Sequence, residues 1–151
     1  MTERTPGEDG AGIVALVFQL SKAFNRHATE DVLGMRLKEF LVLSYLRDKP
    51  GTSQQELGEA MLLESNTVVL LLNELESKGL LIRTRDAVDR RRHVVELTAS
   101  GRAALGKAEK ARETVEDQVL AGLSAEERRT LRRVLIHAIE SQSRIPAPVS
   151  R

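Results

Sequence analysis

Apolar side chains recur along most of this chain at the three- and four-residue spacing of a helical face. Ile13, Leu16, Val17, Leu20 and Phe24 make the first stripe and predict a helix from Ala11 to about Ala28. Thr29–Gly34 is polar and reads as a loop or a frayed helix end. Leu37, Phe40, Leu41 and Ser44 begin a second helix, with Leu43 and Leu46 widening its buried face. Lys49-Pro50-Gly51 ends it. Ser53 opens a third helix with Glu56 three residues on, the pairing of a capping box. Leu57, Ala60 and Met61 supply its inner face. A fourth helix starts at Ser65, which is placed to cap it, and buries Val68, Leu71, Leu72 and Leu75. Gly79 closes it, because glycine takes the left-handed conformation that ends helices.

At that glycine the pattern changes. Leu80–Arg85 and His93–Thr98 are short β-rich runs, and Asp86 and Asp89 are turn formers in the charged tip between them. Helical spacing then returns over Ser100–Leu120, with Leu105, Ala108, Val115 and Val119. Ser124 and Glu127 form a second capping box, opening a helix with Leu131, Val134, Leu135, Ala138 and Ile139 on one face.

The predicted fold is mainly α with a small antiparallel β-hairpin: a winged helix-turn-helix with N- and C-terminal dimerisation helices. Two short helices joined by about three residues have helix-turn-helix spacing, and a basic hairpin follows the second. Residues 1–10 are expected to be a mobile tail, and 11–34 a dimerisation helix and loop. Residues 35–98 form the DNA-binding lobe, 99–142 the C-terminal dimerisation helices and 143–151 a loose tail. The stripes at Ile13–Leu20 and Leu131–Ile139 have no obvious partner inside the lobe, so they are expected to pair across a homodimer.

Composition changes this picture in three places. Net charge is +1, so the chain as a whole is no polycation, yet residues 83–92 hold five arginines against two aspartates. Aromatics are 3%, which argues against base stacking on an aromatic platform. There are 0 cysteines, which removes disulfides, thiolate nucleophiles and thiol redox sensing. His27, His93 and His137 lack metal-ligand spacing, and no cofactor is expected. No nucleophile–base pair, phosphate-cradling glycine loop or supported pair of catalytic carboxylates is present, so no enzyme is expected. Glu3, Glu8 and Asp9 do not fit a signal peptide, and no apolar run reaches the ~18–20 residues that span a bilayer. The expected location is the cytoplasm.

The candidate DNA contacts follow from the elements. Ser53 and Gln54 start the first helix of the pair. Ser65, Asn66 and Thr67 occupy the first turn of the second, where free amides and small hydroxyls suit phosphate or base edges. Val69 and Leu70 lie off the core stripe. They either face outward, toward thymine methyls, or are buried under a neighbouring element. Arg83, Arg85, Arg90, Arg91 and Arg92 are the wing cations, with Arg90 chosen for the minor groove. Asp89 would be repelled by phosphate and is assigned to the wing itself, holding Arg83 or Arg91 in a bidentate pair.

Three segments resemble the MarR family of bacterial transcriptional regulators, within a likeness spanning roughly Ala11–Gln142. Leu75-Glu76-Ser77-Lys78-Gly79-Leu80-Leu81-Ile82-Arg83 is similar to the family's leucine–charge–lysine–glycine run into the wing. Asp86-Ala87-Val88-Asp89-Arg90-Arg91 is similar to its Asp-X-X-Asp-Arg-Arg tip, and Leu97-Thr98-Ala99-Ser100-Gly101 to its Leu-Thr-X-X-Gly exit. The resemblance implies a dimer built from the terminal helices, bound to double-stranded DNA at a palindromic operator. It also implies release by a small anionic or phenolic ligand between the arms and the lobe, for which Phe24, His27 and Arg47 are the candidates. The chain departs from the family where a threonine, an arginine and a second arginine are common in the recognition helix: here stand Val69, Leu70 and Glu74. A protein-interaction module that has lost operator reading is the alternative.

Overall fold

The computed structural model describes residue 10 and residues 12–142; the tails expected over 1–10 and 143–151 lie outside these, Gly10 apart. The elements run α1 (Ile13–His27), α2 (Glu30–Leu33), α3 (Leu37–Asp48), α4 (Gln54–Met61), α5 (Ser65–Ser77), β1 (Leu81–Arg85), β2 (His93–Leu97), α6 (Ala99–Val119) and α7 (Ala125–Ser141). The architecture is helical with one antiparallel hairpin, as the pattern predicts.

Both predicted capping boxes form. Ser53 Oγ accepts from the Glu56 amide at 3.0 Å, and Ser124 Oγ from the Glu127 amide at 3.1 Å. Thr98 Oγ1 caps α6 by accepting from the Gly101 amide at 3.0 Å, which starts that helix one residue before Ser100. The polar stretch after α1 contains the single turn α2, because Leu33 plugs the core and Gly34 ends the turn at φ 76°.

One core joins the lobe to α6. Phe40, Val42, Leu43 and Leu46 of α3 pack with Leu57 of α4 and with Val68, Leu71, Leu72 and Leu75 of α5. Ala28, Leu33, Met35, Leu81, Val95, Leu105, Ala108 and Val115 complete it. Two apolar positions expected inside are outside, Leu41 and Ala60, because α3 and α4 turn those faces to solvent. An acidic one takes the opposite course: Glu39 is fully buried.

The hairpin pairs Leu81 with Leu97 through to Arg85 with His93. A backbone bridge from Ser53 to Val94, and the Val95 amide donating to Thr52 O at 3.0 Å, tie β2 to the start of α4. The wing is therefore anchored along β2 to the segment that opens the first helix of the helix-turn-helix. At the other end, α5 closes in a Schellman motif: Gly79 sits at φ 73°, its amide bonds Glu76 O at 2.9 Å, and the Leu80 amide reaches Leu75 O at 3.0 Å. That turn aims β1 away from the helix.

Candidate nucleic-acid interface

Burying Val68, Leu71, Leu72 and Leu75 leaves Asn66, Val69, Leu70 and Asn73 on the outer face of α5. Of the two alternatives for Val69 and Leu70, the structure has them facing outward: Leu70 is 69% exposed and Val69 36%. The helix cap differs from expectation. Glu64 holds the N-cap position without a side-chain bond, and Ser65 is the first helical residue. Ser65 and Asn66 are exposed and Thr67 half-buried at an end where the helix amides face outward. This face offers amides, small hydroxyls and methyl groups, and no cation of its own.

The cations stand on the wing. Asp86 Oδ1 accepts the Val88 amide at 2.9 Å and Asp89 Oδ1 the Arg91 amide at 3.1 Å, so both aspartates build local turns. The Arg92 amide donates to Asp89 O at 3.0 Å, and the Asp86 amide to Arg92 O at 2.8 Å, closing the tip. The bidentate pair expected of Asp89 is absent. One of its oxygens meets Arg91 Nε at 3.4 Å, while Arg83 is held from α5 by Glu76 at 2.6 Å and Asn73 at 2.5 Å. Arg92 leans back onto Glu56 and Asp86. Arg85 and Arg90 are exposed and have no side-chain partner among the described residues.

Two hollows flank the start of α4. One, about 550 Å³, lies between Gln54, Gln55 and Glu59 on α4 and Asp89, Arg91 and His93 of the wing. The other, about 420 Å³, lies between Gln54, Gly58 and the Ser65–Val68 turn. Gln54 borders both. Ser53, expected at the same surface, is only 3% exposed and lies beneath it, its hydroxyl accepting the cap bond. A basic hairpin, a helix whose first two turns present an uncharged face, and a hollow between them make a surface on which a polyanion with grooves can seat.

The model of the MarR family matches residues 33–92, which contain α3, α4, α5 and the wing tip. The transcriptional regulator HosA of Escherichia coli O127:H6 is 34% identical over 112 residues, 72% of this chain and 83% of HosA. The chain belongs to the MarR family. Among solved structures, the Staphylococcus aureus MepR–DNA complex superposes with TM-score 0.71 at 25% identity, covering 87% of this chain and 99% of that one. A mutant E. coli MarR complexed with operator DNA gives TM-score 0.72 at 22% identity, over 83% of this chain and 92% of that one.

The hollow that Arg47 borders does not bring the ligand candidates of this MarR-family chain together. Arg47 borders a hollow of about 210 Å³ with Pro50, Gly51 and Arg102, which contains neither Phe24 nor His27. Arg47 is also engaged, with Asp48 at 3.0 Å and with Glu109 of α6 at 2.8 Å. These acids, Asp48 first, push its pKa up. His27 is exposed and its Nδ1 lies 2.9 Å from Ala23 O; Phe24 packs on the edge of the core. Among the described residues no group of three or more acidic, histidine or cysteine side chains could hold a metal, and no helix is long and apolar enough to cross a membrane.

A charged cluster at the far end of α5 escapes hydropathy analysis. Buried Glu39 accepts from Lys78 Nζ at 2.9 Å, from the Arg36 amide at 3.0 Å and from Arg36 Nε at 3.3 Å. Burial pushes the Glu39 carboxyl up, but these bonds, Lys78 first, outweigh it and hold the group below its ordinary 4.5. A carboxylate with a lowered folded-state pKa stabilises the fold above its unfolded value, and that contribution is lost as pH falls through the folded one. Glu39→Gln should therefore cost about 1–2 kcal/mol at neutral pH, discounted because Lys78 is part exposed. The gap should close below pH 4.5 in urea titrations of both proteins. An equal gap at pH 7 and pH 3 would mean that the charge contributes nothing.

Proposed function

We propose that this chain is a homodimeric DNA-binding regulator of transcription: a repressor seated on a palindromic operator and released by a small anionic or phenolic ligand. The observation that carries the reading is the outer face of α5, whose first two turns are uncharged, standing beside a wing whose Arg85 and Arg90 project without partners among the described residues. MepR and MarR have each been solved in complex with DNA, which supports the same partner here. In this reading α1, α6 and α7 are the dimerisation arms around the lobe. Val69 and Leu70 meet thymine methyls, Arg90 enters the minor groove, and Arg85, Arg91 and the α5 amides take phosphates. The ligand acts near α1, α3 and the start of α6, where an anion would compete with Asp48 and Glu109 for Arg47. The chain would work in the cytoplasm.

Selection of bound genomic fragments supplies the duplex for the test. Arg90→Ala and Leu70→Ala are then titrated against it and against a scrambled copy across a salt series. Affinity should fall steeply with salt, with a slope of about 0.9 per phosphate neutralised. Arg90→Ala should lose more affinity than Leu70→Ala, and Leu70→Ala should mainly relax preference at a thymine-bearing step. If Arg90→Ala keeps wild-type affinity and slope while Leu70→Ala abolishes binding, the wing-dominated contact is wrong. Exposed Leu62 and Leu70 favour the second reading, a protein-interaction module. It prevails if the wild type binds no duplex at low salt.

A further inference from the structure

Between Ser65 and Ser77 the reading helix has no lysine or arginine, and its C-terminal half has two glutamates. Each glutamate is met by an arginine from another element. Arg83 comes from β1 to Glu76 at 2.6 Å. Arg36, the residue before α3, comes to Glu74. Glu74 lies one helical turn beyond Leu70, on the side of α5 that faces outward.

The Arg36 guanidinium is held on two sides. Its Nη2 donates to Glu74 Oε2, and its Nε to Oε1 of the fully buried Glu39 at 3.3 Å. The Arg36 amide donates to that same oxygen at 3.0 Å, which fixes the base of the side chain. The other Glu39 oxygen accepts from Lys78 Nζ at 2.9 Å, so the anchor is itself tied to the end of α5. The side chain is nevertheless 47% exposed, and Nη1 has no partner among the described residues. Two of the five guanidinium N–H groups are spent on carboxylates, and three remain free to donate outward.

We propose that Arg36 is a DNA contact: a phosphate-binding guanidinium presented at the C-terminal half of the reading helix, with Glu74 and Glu39 as its positioning residues. The proposal rests on α5 lying in a DNA groove. There, without Arg36, Glu74 would face phosphates and repel them, with only Lys78 at 3.8 Å to offset its charge. With Arg36 docked on it, the same spot offers free N–H donors from a side chain already ordered before binding, which lowers the entropy cost of the contact. The helix thus borrows the cation that its own sequence lacks.

The test compares wild type with Arg36→Gln/Glu74→Gln, which has the same net charge and lacks both the guanidinium and the repulsion. Both are titrated over a salt series with the duplex enriched from genomic fragments, and circular dichroism melts check folding. If Arg36 contacts phosphate, the double variant binds about tenfold more weakly for each Arg36 engaged. Its salt slope is shallower by about 0.9 for each. If Arg36 only neutralises Glu74, the double variant matches wild type in affinity and slope; the proposal is then overturned while DNA binding stands. Should the double variant melt early, Arg36→Lys replaces it. Lysine keeps the charge but not the two-sided hold, so several-fold weaker binding is expected, and wild-type affinity overturns the proposal. A wild type that binds no duplex removes the DNA reading itself.

Discussion

Gly101→Ala should destabilise this protein more than the addition of any other single methyl group near the wing. A Cβ at Gly101 would stand 1.9 Å from the Leu80 carbonyl oxygen and 2.9 Å from its carbon. The obstacle is backbone, and that backbone is not free to move. Leu80 O accepts the Thr98 amide at 3.1 Å, and Thr98 Oγ1 donates to Gly79 O at 2.6 Å while accepting from the Gly101 amide at 3.0 Å. The end of α5, the base of β1 and the first turn of α6 meet at this crossing. Pushing α6 outward would draw Leu105 and Ala108 from the core. Overpacking of this kind costs about 1–3 kcal/mol, and losing the Thr98 cap adds roughly 1 kcal/mol. Out of a typical ~5–15 kcal/mol of total stability that is a large share. Gly79→Ala is the control: at φ 73°, with nothing within 4 Å of its Cβ, it meets strain alone, about 1–2 kcal/mol. Urea midpoints should fall for both and further for Gly101→Ala. Equal midpoints would show that the start of α6 can yield.

That crossing also shows what the sequence does and does not disclose. The Leu-Thr-X-X-Gly exit is visible as a motif, but the cap by Thr98, which starts α6 before the expected Ser100, is not read from it. Nor is the 1.9 Å approach to Leu80, because it depends on how two elements are juxtaposed. The same division holds elsewhere. Val68, Leu71, Leu72 and Leu75 are buried as their spacing predicts, since one helix face has one neighbour. Leu41 and Glu39 exchange the expected inside and outside, because hydropathy cannot register an acid stabilised by Lys78 and by Arg36. In the candidate interface, the turns at Asp86 and Asp89 are legible from local chemistry, being bonds to residues two positions on. The holds on Arg83 and Arg92 are not, since their acids come from α5 and α4. Arg36 is legible only in part: Glu39 stands three residues on, but the glutamate that holds it against α5 is 38 residues away.

In the homodimer proposed here, Leu135→Asp should leave the protomer folded but monomeric. Neither α1 nor α7 has a fully buried residue within the protomer. Along α1, Ile13, Val14, Val17 and Phe18 are exposed; along α7, so are Val134, Leu135 and Ile139, the last at 70%. A hollow of about 470 Å³ beside Leu123, Leu131 and Val134 continues this apolar face. Covering such a side chain contributes roughly 1.5–3 kcal/mol, so a second copy placed across a two-fold axis gains several such terms at once. Leu135, 44% exposed, would be covered by the association rather than by folding. An aspartate there leaves the protomer core untouched but puts two unpaired carboxylates, one per copy, into the interface. Breaking complementarity in this way costs several kcal/mol, since each charge must lose water without gaining a partner. Sedimentation should give the protomer mass with an unchanged circular dichroism spectrum. DNA affinity should fall on the order of a hundredfold or more, because two tethered half-site contacts become two independent ones. A cleanly dimeric Leu135→Asp would exclude this face of α7 from the interface. A monomer that still binds DNA as tightly as wild type would show that one lobe suffices, and the two-fold operator would then have to be abandoned.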